Sequence, residues 1–185
     1  MLAGYTKSEE AGVNDPNGLV LLWSLANRKK PEYVFNCQTE ITSVIFHKYN
    51  PKVIIGGTYT GQILVWDTRG KALPVQKTQP GGKFHAYPIY CLSINGSAHS
   101  NNLTSISNDG VMCIWSMTNL SKANKRIELK GRKKGKGECD NQSSQPTEDI
   151  GAICIATPQE SDDSNQILIG TDDSDIYQVH PHQSG

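Results

Sequence analysis

The chain has 185 residues, with 18 basic and 18 acidic side chains, a formal net charge of zero and 36% hydrophobic residues. That length holds one domain with a sizeable core, or a piece of a larger one. The charge balance argues against a dedicated nucleic-acid or membrane-surface binder, and no apolar run approaches the roughly 20 residues of a membrane span.

Residues 2–5 read as a short strand, expected to be the second strand of a unit without its first. The turn Asp15-Pro16-Asn17-Gly18 leads into the apolar run 19–23, which closes on Trp23, and a polar outer segment follows at 31–37. The second unit repeats this order, with strands at 41–46 and 53–57, the turn Tyr59-Thr60-Gly61, a strand at 63–66 ending on Trp66, and an outer segment at 73–78. The third has strands at 89–94 and 103–107, the turn Asn108-Asp109-Gly110, a strand closing on Trp115, and an outer segment at 125–130. A Gly-, Lys-, Ser- and Gln-rich insertion at 131–149 is expected to be disordered. A fourth unit then supplies strands at 150–155 and 166–170 and a last run in which Ser174 replaces the turn Gly and Val179 the Trp.

The three Trp positions are 43 and 49 residues apart, in or just beyond the period of four-stranded propeller blades, and the insertion stretches the next interval to 64. No helix-period stretch lies between the strands. The continuous apolar runs 19–23 and 63–66 are expected to be covered on both faces, while Lys and Glu in the outer segments suit edge strands. The expected architecture is all-β: blade units at 1–37, 38–80, 84–130 and 150–180, about two complete and two partial, forming an open sector. Such a sector exposes an apolar face at each end, larger than the roughly 400 Å² a monomer tolerates.

Here the residues resemble the WD-repeat family. Ser105-Ile106-Ser107-Asn108-Asp109-Gly110 leads to Ile114-Trp115-Ser116, with His85 four residues before Ile89. The resemblance implies a hydrogen-bonded network within a blade of a His, a Ser or Thr, an Asp and a Trp, which are His85, Ser105, Asp109 and Trp115 at the matching positions. A buried Trp N–H needs an acceptor, and a buried His and Asp need partners, whatever the family. The same residue types invite a catalytic-triad reading. Against it, the spacing recurs as fold punctuation, and the second unit lacks two members, with Cys37 where the His would stand and Thr60-Gly61 in place of Asp-Gly. Neither an enzyme nor a cofactor is expected.

Five cysteines (Cys37, Cys91, Cys113, Cys139 and Cys154) form no C-x-x-C pair and read as reduced core thiols. The Lys130–Lys136 run has no interleaved aromatic for base stacking, and an acidic stretch follows it. His180 and His182 have no third ligand spaced to complete a metal site, and Ser161-Asp162-Asp163 reads as a surface turn as well as a phosphorylation site.

A narrower resemblance lies in the segments 31–38, 56–63, 74–78 and 85–91 and in Asp109-Gly110-Val111-Met112-Cys113-Ile114-Trp115-Ser116, which are similar to the intermediate chains of cytoplasmic dynein. The resemblance implies a non-catalytic subunit of a cytoplasmic, microtubule-associated motor, whose propeller docks on the dynein heavy chain and supports minus-end-directed transport alongside other dynein subunits. In that family light chains and dynactin are bound by a separate N-terminal region, so those sites are not expected on this chain. The rivals are another WD-repeat scaffold, such as a substrate receptor of a ubiquitin ligase, and a nucleic-acid binder using the Lys130–Lys136 run.

Overall fold

The computed structural model describes residues 1–8, 10, 12–13, 15–79, 84–132, 147–157 and 166–180. Every regular element among them is a strand. Antiparallel pairing gives a first sheet of β1 (Leu2–Thr6), β2 (Gly18–Leu22) and β3 (Tyr33–Cys37). The second sheet runs β4 (Ile41–His47), β5 (Asn50–Thr58), β6 (Ile63–Asp67) and β7 (Gln76–Lys77). The third runs β8 (Ile89–Gly96), β9 (Asn101–Ser107), β10 (Val111–Ser116) and β11 (Lys125–Glu128). After the short ladder of β12 (Lys130–Arg132) and β13 (Thr147–Asp149) comes a sheet of β14 (Ala152–Ala156), β15 (Ile167–Thr171) and β16 (Ile176–Val179).

Each of the four larger sheets is a meander whose strands lie in chain order, and none closes on itself. The cores lie between sheets. Val20, Phe35 and Cys37 of the first sheet pack with Ile41, Ile54, Leu64 and Trp66 of the second. Ile55, Ile63 and Val65 of the second pack with Leu92, Leu103, Val111, Cys113 and Trp115 of the third. Ile106 and Met112 of the third meet Ile150, Ala152, Ile167 and Ile169 beside and within the fourth. Alternation explains the unbroken apolar run of β6: Ile63 and Val65 face one neighbour, Leu64 and Trp66 the other. This is the face-to-face stacking of propeller blades, in an open sector.

Among the described residues, each end sheet packs against a neighbour on one side only. Tyr5, Tyr33 and Val34 are exposed on the first, and Ile153 and Ile176 on the fourth, Ile176 to 77%. The run 19–23 is accordingly not covered throughout: of its residues only Val20 is buried, and Trp23 lies half-buried just past the end of β2.

Two expectations are corrected. The insertion is not loop throughout 131–149, because its flanks zip into β12 and β13, with Lys130 opposite Asp149 and Arg132 opposite Thr147. The reason is packing: Leu129 and Ile150 are both buried in the third core cluster beside the Gly110 turn, which holds the two ends of the insertion together. Residues 133–146 lie outside the described residues, as do Lys133–Lys136 of the basic run, Cys139, residues 161–163 and His182. Cys154 is not a core thiol either; it is exposed on β14, in a sheet with no further sheet beyond it.

Ser174 keeps the turn that Gly makes in the second and third units. Its φ of 64° is left-handed, matching Gly61 at 78° and Gly110 at 72°. A side chain there costs about 1 kcal/mol relative to Gly.

Candidate functional site

The polar centre of the molecule is in the third sheet, where β9 and β10 place small hydroxyls against an indole. β9 alternates Leu103, Ser105 and Ser107 on one face, and the register sets Ser105 opposite Cys113. Trp115 donates its indole N–H to Ser105 Oγ at 2.8 Å. Ser105 Oγ lies 2.7 Å from His85 Nε2, and His85 Nδ1 lies 2.9 Å from Ser107 Oγ. Ser107 Oγ donates in turn to Asp109 Oδ1. Phe84 closes over the indole edge-on, with ring centroids 4.9 Å apart.

The end of this chain fixes its direction. A carboxylate only accepts, so the Ser107 proton goes to Asp109 and His85 Nδ1–H donates to Ser107. Nε2 is then an acceptor, and Ser105 O–H donates to it. Trp115, Ser105, His85, Ser107 and Asp109 thereby form one directed series with each donor matched. Burial holds His85 neutral, pulling its pKa from 6.5 down to about 4 against the opposing pull of Asp109.

The structure thus brings His85, Ser105 and Trp115 into direct contact and joins Asp109 to them through Ser107. Sequence reasoning missed Ser107; its signal was the period of two that puts it on the face of Ser105. Ser105 and Ser107 are fully buried. The Ser105 oxygen is buried, accepts the indole N–H and donates to His85, which is the arrangement of a strut.

The second sheet lacks that strut. Counting back from Trp66 as from Trp115, Gly56 takes the place of Ser105, Thr58 of Ser107 and Thr60 of Asp109. The lower part survives in another form: Thr58 Oγ1 lies 3.1 Å from Thr60 Oγ1 and accepts the Gln62 N–H at 2.9 Å. The upper part does not. Trp66 is fully buried, and among the described residues its indole nitrogen has no hydrogen-bond partner. The edge of its six-membered ring presses on Gly56, where a Cβ would lie 2.8 Å from one ring carbon and 3.1 Å from the next. Cys37, expected at the His place, packs in the same apolar cluster, and burial pushes its thiol up to about 12. Cys113 is raised likewise, to about 12. Neither is a nucleophile.

Trp23, the first repeat position, is anchored by its backbone instead: its N–H donates to the Met1 carbonyl at 2.8 Å and its carbonyl accepts from the Met1 ammonium at 2.7 Å. Among the described residues, no three His, Cys, Asp or Glu side chains cluster to hold a metal.

Four face-packed meanders with a His–Ser–Trp strut define a WD40-type propeller segment. Residues 13–111, more than half of the chain, match the family of the dynein axonemal intermediate chain 3 WD40 domain, and the chain belongs to this family of dynein intermediate chain WD40 domains. It is also 34% identical to the cytoplasmic dynein 1 intermediate chain of Drosophila melanogaster over 184 residues, which is 98% of this chain and 26% of that relative. The chain therefore spans about a quarter of the length of the curated relative it matches.

Proposed function

We infer that this segment works as a non-catalytic docking platform in a dynein motor complex, binding the dynein heavy chain and supporting minus-end-directed transport along microtubules in the cytoplasm. The supporting observation is the identity of 34% to a dynein intermediate chain over 98% of this chain, a span that takes in the segments between blades as well as the Trp-ending strands. The blade strands specify a propeller, which hosts many functions. On such a scaffold, loops and rims are where partner choice is made. The buried strut supplies rigidity and leaves recognition to loops, rims and edges. A ubiquitin-ligase receptor gains no support from the family match.

The test is affinity capture with a complete intermediate chain containing this segment as bait and the dynein heavy-chain tail as prey. Retention of the tail, lost when residues 1–180 are replaced by an unrelated propeller sector, is the expected result. Equal retention by the swapped chain would sink the reading. The family model carries an axonemal name and the curated relative a cytoplasmic one. Using cytoplasmic and axonemal heavy-chain tails side by side separates these two, and preference for the cytoplasmic tail is expected.

A further inference from the structure

Between the rims of the first and second sheets lies a groove of about 390 Å³, lined by the end of β3, by β6 and by the 73–77 segment. Cys37 and Leu64, both buried, line its inner side, and Leu73, Pro74 and Val75 form its outer wall. Leu73 and Val75 are exposed to 64% and 56%, and with Leu64 they give the groove its apolar lining. The remaining lining is amide-rich, and Lys77 is its single charged residue.

Among the described residues, no strand pairs with the outer edge of the sheet beside this groove. β7 is the last strand of its sheet. Thr78 N–H bonds the Ile63 carbonyl, and Leu64 pairs with Lys77, so Lys77 occupies a non-hydrogen-bonded position. Its own N–H and C=O therefore turn outward, away from β6. Being directly across from Leu64, Lys77 presents its side chain on the groove face, and Leu73 and Val75, just before β7, line the same groove.

We propose that this rim groove binds an extended peptide segment of a partner protein, which adds as a strand along β7, places an apolar side chain against Leu64, Leu73 and Val75, and sets a carboxylate two residues away on Lys77. The backbone N–H and C=O of Lys77 supply affinity for any strand, while the side-chain pattern supplies selection. An acidic rather than basic peptide is specified because the lone charge of the groove is a cation that no ion pair neutralises among the described residues. The proposal stands apart from the motor-subunit reading, since it concerns peptide chemistry and not the identity of the partner.

The probe is a blocked, dye-labelled peptide alternating valine with serine, with one glutamate in the valine register. Its counterpart carries lysine at that position. Fluorescence anisotropy with the full chain is expected to show the glutamate peptide binding at least roughly tenfold tighter than the lysine peptide. Lys77→Glu should invert that order. Lys77→Pro, which removes the outward-facing N–H together with the ammonium, should abolish binding of both peptides, and circular dichroism checks that each variant keeps its strands. No binding of either peptide, equal binding of both, or an order unchanged in Lys77→Glu would overturn the proposal. Because Lys77 is exposed, Lys77→Glu remains decisive even if Lys77→Pro disturbs the rim.

Discussion

The second and third sheets solve one problem in two ways. Each must bury a tryptophan at the end of its third strand, and both rings are almost completely hidden. In the third sheet the indole N–H enters a series of hydrogen bonds through Ser105, His85 and Ser107 to Asp109. In the second, Gly56 removes the hydroxyl, the ring slides onto the bare backbone, and the N–H is left without a partner. An unsatisfied buried donor costs about 1–3 kcal/mol, which tighter packing of Trp66 on Gly56, Phe35 and Leu64 must offset. In these two central sheets the repeat position keeps a large, buried, flat side chain, and the polar network around it is optional. A catalytic constellation could not be half-deleted in this way, which is the strongest reason to read His85 and Ser105 as architecture.

The largest effect separating the sheets is expected from acid. In the folded chain His85 titrates at about 4, against 6.5 when unfolded. Between those values the unfolded chain holds the proton and the folded chain does not, so stability falls as pH drops through that window, by roughly 3 kcal/mol in all. Urea unfolding of the wild type and of His85→Gln across this range checks the sign: the variant should be weaker at neutral pH and show a shallower acid loss. Placing the third sheet's residue in the second comes next. Gly56→Ser offers Trp66 an acceptor, but its Cβ would lie 2.8 Å from the ring, so a loss of about 1–3 kcal/mol is expected instead of a gain. Stabilisation in a thermal melt would show that the ring is free to turn.

Smaller still is the contrast between Trp66→Phe and Trp115→Phe. Both shrink the side chain, but the second also strips Ser105 of its donor, whereas the first removes a donor that has no partner. Trp115→Phe should cost about 1 kcal/mol more, read from urea midpoints. Finally, Ser174→Gly should stabilise the fourth sheet by about 0.5 kcal/mol, because the left-handed φ of 64° suits Gly, while Gly's looser unfolded chain offsets part of the gain.

Much of the blade plan was legible because it is written locally. Turn, apolar strand and Trp follow one another within each unit, and β5, β6, β9 and β10 fall where that punctuation puts them. What sequence missed depends on neighbours. Trp23 carries the same local signature as Trp66 yet is less completely buried, because among the described residues β2 stands in an end sheet with a neighbour on one side. The β12–β13 ladder grows from Leu129 and Ile150 meeting beside a turn some twenty to forty residues away in sequence. Ser107 was legible and overlooked. The unpartnered indole of Trp66 was half legible: Gly56 announces the missing hydroxyl, but the direction the ring takes in response is set by packing alone.

The claim most in need of a direct test is that the His85–Ser105 set is a strut holding one tryptophan and irrelevant to the other. Hydrogen exchange of the two buried indole N–H groups, followed by NMR in the wild type and in Ser105→Ala, addresses it. Ser105→Ala is expected to accelerate exchange at Trp115 while leaving Trp66 unchanged. Equal acceleration at both, or none at Trp115, would contradict it.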